Sequence, residues 1–318
     1  MECIRSRYWD DCRPLFSVIV PAYNRASTIE RTLLSIVSQS EKNWEVIIVN
    51  DGSTDDTDSV VLPFLEKESH PVMYIKKSNG GVHTARNAGV REARGFFYVE
   101  IDSDDELTPD ALSLFRKAWD EIPDENKPEY REVVGLCIDD KGNVCGKKFP
   151  RDINSLAWND ALRACNDTHG EHLACSITSI RKANLFPEPE GVTFYNESIL
   201  WGKLALEYRS YYTNNIVRIY HTEGDDHLNT SLDKTEKKKT VQQCRNGLWE
   251  CWYILEHYDT YSTYFSYNST LVRYLLMRRM LKMSGDGFYR NYKVTGFKPF
   301  LFSISVFFYS FIYRKKRM

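Results

Sequence analysis

From Phe16 onward the chain alternates two hydrophobic rhythms. The runs "FSVIVPA" (16–22), "WEVIIVN" (44–50), "VMYIK" (72–76) and "FFYVEI" (96–101) are short and nearly continuous in apolar and β-branched residues, as in strands buried on both faces. Between them apolar positions recur at helical spacing. In "STIERTLLSIVSQS" these are Ile29, Leu33, Leu34, Ile36 and Val37, behind a Ser/Thr pair suited to an N-cap, and helices are also expected near "DSVVLPFLEKE" and "VHTARNAGVREA". Strand and helix in alternation predict an α/β fold, a mostly parallel sheet with right-handed crossovers. Loops beyond the carboxyl ends of such strands converge, and ligands bind there. Three polar clusters fall at those ends: "PAYNR" (21–25), "NDGSTDD" (50–56) and "DSDD" (102–105).

The last cluster has a definite chemical use. In an extended segment alternate side chains share a face, so Asp102 and Asp104 can point into one cleft while Ser103 points aside. Paired carboxylates suit Mg2+ or Mn2+, and such cations commonly complete their shell with a substrate's phosphate oxygens. A competing use of the acids is to cap the helix starting near "TPDALSLFRKAW", and Asp105 is assigned to that cap. Asp55 and Asp56 are likewise assigned to the helix that follows them.

Composition narrows the classes. With 318 residues the chain can bury one large core and carry an appendage, and a net charge of -2 supplies no basic field to gather nucleic acid. The eight cysteines are dispersed, without a zinc or redox pair, and the start "MECIRSRYWDDCRPLF" is charged throughout. Both features are those expected of a reducing cytoplasm.

The stretches "SVIVPAYNRASTIERTLLSIVSQS", "EVIIVNDGSTDDT" and "NGGVHTARNAGVREARGFFYVEIDSDDEL" follow one another over residues 16–118. In that order they resemble the signatures of the family 2 glycosyltransferases, whose GT-A fold moves a sugar from a nucleotide-diphosphate donor. The resemblance implies Asp104 as a ligand of Mn2+ or Mg2+ and Asp102 as a ribose or metal contact. It implies Tyr23 as a platform for the nucleobase, against the alternative that the ring only packs its loop. Asp51 would accept the uracil N3 hydrogen, with Gly52 allowing the sharp turn after it. Asn50 stands where many members carry another acid. Arg86 is matched to the diphosphate or, equally, to a salt bridge with the acidic cluster; Arg25 is a weaker candidate for the same diphosphate.

The later stretch "RKANLFPEPEGVTFYNESILWGKLALEYRSYYTNNIVRIYH" resembles the family's acceptor-side segment. There the usual Glu-Asp pair reads Asn196-Glu197, with Trp201 following, so Glu197 is assigned as general base; its alternative is a glutamate favoured by a helix N-terminus. His221 or His227 falls where some members supply a third metal ligand or a diphosphate contact, and the choice stays open. His169 and His172 are read as structural or surface residues.

The expected organisation is an extension over 1–15, a GT-A domain over 16–229 and a helical, membrane-associating region over 230–318. The GT-A domain divides into a nucleotide-sugar half, 16–118, and an acceptor half, 119–229. The apolar run from Pro299 to Tyr313 is shorter than the roughly twenty residues of a spanning helix, and it ends on Arg314, Lys315, Lys316 and Arg317. Its aromatics and basic residues suit a monotopic anchor on the cytoplasmic face of the membrane, against docking on the protein's own core or a dimer contact. The resemblance implies inverting transfer, from a UDP-sugar, to a saccharide or lipid-linked saccharide in surface polysaccharide synthesis. A catalytically silent nucleotide-sugar module and a sugar nucleotidyltransferase are the rivals. A dinucleotide oxidoreductase is set aside, because "NGGVHTARNAG" lacks the G-x-G-x-x-G pattern.

Overall fold

The structure is a computed structural model describing residues 1–11, 13–168, 170–194, 196–221, 241–257 and 267–294. The chain forms two compact units: Met1–Phe186 with Glu207–Leu232, and Pro187–Leu206 with Asp233–Met318.

The first unit is built on a nine-stranded sheet flanked by helices. Its centre is the parallel set predicted by the hydrophobic runs. Strands β2 (Phe16–Ala22), β3 (Trp44–Asn50), β4 (Val72–Lys76) and β5 (Phe97–Glu100) stand in the order β4-β3-β2-β5. Every residue of β2 and β3 is buried, because helices cover both faces. Alternation along β2 divides the core. Val18 and Val20 face Ile29, Leu33 and Ile36 of α1 (Ile29–Val37) and Leu112 and Phe115 of α4 (Ala111–Asp120). Ile19 faces Ala85 and Ala88 of α3 (Val82–Glu92), with Ile47 and Val49 beside it. Gly89 lets α3 lie close to β2, since a Cβ there would stand 2.6 Å from Ile19 Cγ2. The crossover from β3 to β4 is α2 (Thr57–Lys67).

The cap expected at α1 is not made. Thr28 occupies the N-cap position, but its Oγ1 is buried without a hydrogen-bond partner. The Arg25 carbonyl instead takes the amides of Thr28 and Ile29 at 3.1 and 2.9 Å, so the loop backbone starts the helix.

Beyond β5 the sheet becomes mixed. Strand β8 (His172–Ile177) runs antiparallel to β5 and to β7 (Tyr130–Ile138). Strand β9 (Arg209–Ile219) runs parallel to β7, with register shifts, and antiparallel to the two-residue β6 (Glu106–Leu107). On the far edge β1 (Glu2–Arg5) pairs antiparallel with β4. The turn "DDKGN" folds as a small hairpin through an Ile138–Val144 bridge, the Asp139 carboxylate taking the amides of Lys141 and Asn143. Helices α5 (Trp158–Asp167) and α6 (Thr178–Ala183) complete this unit.

The second unit holds α7 (Ser198–Leu204), α8 (Val241–Glu256) and α9 (Tyr267–Met283). Cys244, Leu248, Cys251 and Leu255 of α8 share a core with Leu271, Tyr274, Met277 and Leu281 of α9 at helical spacing. Among the described residues no helix is long and apolar enough to cross a membrane. The carboxyl-terminal tail, His169 and His227 lie outside the described residues.

Candidate active site

The loops after β2 and β3 are stitched together. Asn24, with a φ of 54°, donates its amide to Ser53 Oγ at 2.9 Å and accepts the Thr54 amide on Oδ1 at 2.8 Å. Arg25 donates its amide to Thr57 Oγ1, and Ala26 to the Asp55 carboxylate, at 3.0 and 2.9 Å. That carboxylate also takes the Thr57 amide at the start of α2; these bonds overcome its partial burial and hold Asp55 below its usual range. Tyr23 directly follows β2, with 44% of its surface exposed.

At the end of β3 the two polar residues divide their work. Asn50 is turned inward: it donates to Tyr74 Oη at 2.7 Å and Asp58 Oδ1 at 2.9 Å, while its Oδ1 takes the Ser53 amide at 2.7 Å. That oxygen thus serves the loop. Burial is opposed at Asp58 by bonds from Lys76, Tyr74 and Asn50, which hold its carboxyl low. Asp51 is buried and anchors the "SNGG" turn, accepting the amides of Gly80 at 3.1 Å and Gly81 at 2.8 Å together with Lys77 Nζ. Among the described residues Oδ2 takes the Gly81 amide alone. Lys77, which the sequence reading missed, also donates to Thr84 Oγ1 at 2.8 Å. Gly52 between these loops has a φ of +77°, and a Cβ on it would meet the Asn79 backbone nitrogen at 2.7 Å.

The acidic turn closes on itself through the Asp105 amide and the Asp102 carbonyl at 3.1 Å. Its side chains alternate: Ser103 and Asp105 are buried, whereas Asp102 and Asp104 keep 44% and 22% of their side chains exposed. Arg25 Nε lies 3.7 Å from Asp104 Oδ2, joining the β2 loop to this turn. Arg31 of α1, also missed from sequence, donates to the Asp104 carbonyl at 2.5 Å. Arg86 is buried on α3, paired with Glu100 and 3.3 Å from Asp102 Oδ1, which is the salt-bridge alternative read from the sequence. Burial opposes the charge of Arg86, but Glu100 and Asp102 outweigh it and raise its pKa; burial likewise pushes Glu100 up against the pull of Arg86 and Arg181.

Asp105 does not cap α4 as expected. Asp110 occupies that N-cap position without a side-chain bond, and the Asp105 carboxylate turns into the sheet instead. There it accepts the His221 amide at 3.0 Å and faces Arg218 Nη1 at 3.4 Å, because pairing of β6 with β9 draws the turn onto that strand. Burial pushes its carboxyl up to about 7 in spite of Arg218. The His221 ring lies between two carboxylates, Nε2 at 2.8 Å from Glu106 Oε1 and Nδ1 against Asp140.

Among the described residues no group of three or more His, Cys, Asp or Glu is arranged to hold a metal ion. The donor set of Asp102 and Asp104 nevertheless fits a hard divalent cation, for which one or two carboxylates suffice when phosphate and water complete the shell. Glu197 lies in the second unit at the N-cap position of α7. The side chain that caps this helix is that of Asn196, whose Oδ1 accepts the Ser198 amide at 3.1 Å and hydroxyl at 2.7 Å. Asn196 Nδ2 also reaches Glu250 Oε1 at 3.4 Å.

Comparison with known proteins adds an independent line. The sequence profile of Glycosyl transferase family 2 matches residues 17–126. The chain is 33% identical over 229 residues to the GalNAc(5)-diNAcBac-PP-undecaprenol beta-1,3-glucosyltransferase of Campylobacter jejuni, covering 70% of this chain and 69% of that one. It is 43% identical over 145 residues to the chondroitin synthase of Escherichia coli, 45% of this chain and 20% of the relative. Residues 1–349 of TarS from S. aureus, in complex with UDP-GlcNAc, match with a TM-score of 0.54 at 18% identity, over 84% of this chain and 80% of the other. The mannosyltransferase PcManGT of Pyrobaculum calidifontis, in complex with GDP-Man and Mn2+, matches with a TM-score of 0.50 at 20% identity, over 87% and 79%. These two likenesses concern the fold, a mixed α/β sheet of GT-A type with flanking helices.

Proposed function

The chain belongs to glycosyl transferase family 2 and is a transferase of the glycosyl-transferring class, and from that premise we propose that it performs inverting transfer from a UDP-sugar to a saccharide or lipid-linked saccharide. The observation that carries this reading is the meeting of three strand-end loops in one unit, through the Asn24–Ser53 bond and the Arg25–Asp104 pair. Uridine is supported by the chemistry at Asp51, a carboxylate at the end of β3 with the capacity to accept an N3–H donor besides the bonds it already takes from Lys77, Gly80 and Gly81. Tyr23 supplies an exposed ring for the base. The S. aureus neighbour bound to UDP-GlcNAc agrees with a uridine donor, and the C. jejuni relative's name points to an undecaprenol-linked acceptor.

Asp104, with Asp102, would hold Mn2+ or Mg2+ against the donor diphosphate. When bound, the cation would neutralise charge on the departing diphosphate. Arg25 lies beside Asp104 and can reach the same phosphates, while Arg86 keeps Asp102 oriented and supplies further positive charge. Glu197 takes the proton of the attacking acceptor hydroxyl. His221, and His227 if it joins the site, stand as further metal or diphosphate contacts.

We assign the helical region from residue 230 to membrane association at the cytoplasmic face, where a lipid-linked acceptor would be concentrated. Exposed Arg279 and Lys282 on α9 support this, as do the basic residues that end the sequence. One experiment tests the donor reading: incubate the protein with a panel of nucleotide sugars, and in parallel with sugar 1-phosphates and UTP, and follow turnover with Mn2+ and with chelator. Metal-dependent release of UDP from one sugar is expected; activity on sugar 1-phosphate and UTP instead would favour the nucleotidyltransferase.

A further inference from the structure

The buried face of the acidic turn is as organised as its exposed face. Arg218 lies on β9, almost wholly buried, and its guanidinium meets three segments distant in sequence. Nη1 faces Asp105 Oδ2 at 3.4 Å, Nη2 donates to Glu171 Oε2 at 3.0 Å, and Nε donates to Cys137 Sγ at 3.2 Å. Three residues further on, just past the end of β9, the His221 amide donates to the other Asp105 oxygen at 3.0 Å. From α1, Thr32 Oγ1 donates to the Asp105 carbonyl at 2.7 Å, and the β6–β9 ladder pairs Glu106 with Ile219 and Leu107 with Arg218. The inward side of the turn is thereby tied to β9 and α1 by hydrogen bonds to the Asp105 carbonyl and Oδ1 and by the Arg218–Asp105 ion pair at Oδ2. Only Asp102 and Asp104 are left facing outward.

We propose that Arg218 and Asp105 are positioning residues, a buried lock that fixes the turn on β9 so that the Asp102 and Asp104 carboxylates stand ready before a ligand arrives. This rests on the reading that those two carboxylates engage the donor diphosphate and its cation. A turn held only by its own amide bond would have to be ordered at each binding event, and that ordering would be deducted from donor affinity. Arginine suits the task because a planar fork can serve several acceptors at once, which a lysine ammonium on a flexible stem cannot do with the same geometry.

The test has two arms. In the first, amide hydrogen exchange of the ligand-free full chain is compared between the natural protein and Arg218→Met. Protection over residues 101–107 and 217–221 should fall by at least about tenfold while the amides of β2 and β3 keep theirs; unchanged protection at the turn overturns the lock. In the second, UDP binding is measured with Mn2+ and with chelator. Arg218→Met should weaken the Mn2+-dependent binding at least about tenfold, leave the chelator value unchanged, and be partly rescued by Arg218→Lys. A purely structural role would lower the folded fraction without separating these two affinities. If Asp104→Asn abolishes Mn2+-dependent binding while Arg218→Met retains it, the lock is wrong. If Asp104→Asn binds like the natural protein, the donor reading is wrong, and the exchange arm still judges the lock. Should Arg218→Met fail to fold, Asp105→Asn carries both measurements, since it keeps the volume and an oxygen for the His221 amide.

Discussion

Replacing Gly52 by alanine perturbs the nucleotide loops through a single methyl group. The backbone there has a φ of +77°, and the new Cβ would stand 2.7 Å from the Asn79 backbone nitrogen and 3.2 Å from the Lys77 carbonyl oxygen. A left-handed backbone costs an L-residue about 1–2 kcal/mol. The close contact is to backbone, so relief requires the 77–81 segment to move, and that segment delivers the Gly80 and Gly81 amides to Asp51. Each weakened bond costs about 1 kcal/mol, while the stiffer unfolded chain returns about 0.4–1 kcal/mol. The net expectation is a loss of about 2–3 kcal/mol, with UDP affinity falling in parallel because Asp51 loses its neighbours. Gly142 provides the control: its φ is +80° but nothing lies within 4 Å of its Cβ position, so Gly142→Ala should show the backbone cost alone. Urea unfolding followed by circular dichroism measures both variants. Equal losses for Gly52→Ala and Gly142→Ala would refute the argument that the 77–81 segment is what the glycine accommodates.

Three further outcomes are expected. Asp104→Asn should abolish the difference between UDP binding with Mn2+ and with chelator while leaving the melting temperature within a few degrees; titration calorimetry decides. Glu197→Gln should retain donor affinity and lose turnover by about 10²–10⁴-fold, as for removal of a group that acts in the transition state, and near-normal transfer would move the base elsewhere. Burial lowers the pKa of His172, which stacks on Phe149 at 4.8 Å. The unfolded ring therefore binds its proton first as acid is added, and stability is lost as pH falls below the ordinary value of 6.5. His172→Phe should flatten the fall in melting temperature between about pH 7.5 and 5.5, and an unchanged slope would assign that dependence to other groups.

The parallel centre of the sheet was legible because its strands are continuous apolar runs and their partners follow at short range: β2, β3, β4 and β5 carry their own burial in their composition. The acidic cluster was legible as a run of acids behind the last parallel strand. The extended segment expected there is instead a turn closed between the Asp105 amide and the Asp102 carbonyl, in which Asp102 and Asp104 keep the exposed side chains. What a local pattern could not give was anything decided by a distant partner. Asp105 has every quality of a helix cap when read beside Thr108 and Pro109, yet β9 claims it from more than a hundred residues away. Asn50 stands where many members carry another acid, and Asp58 and Tyr74 turn it inward. Lys77 and Arg31 are ordinary surface cations in sequence, and only folding brings them to Asp51 and the Asp104 carbonyl. The four-residue β1 lacks a hydrophobic run and is specified by the open edge of β4.

Strand β9 also sets a timetable for the newly made chain. Asp105 and its partner His221 are separated by 116 positions, which a ribosome adding about 5–20 residues per second takes roughly 6–23 s to bridge. During that interval the strands up to β5 can already associate, while the turn carrying Asp102 and Asp104 has left the ribosome without the strand that secures it. A nascent or prematurely ended polypeptide stopping near residue 126 would contain the whole matched family region yet lack Arg218 and His221, so it would carry the signature of the enzyme without a fixed place for its two outward carboxylates.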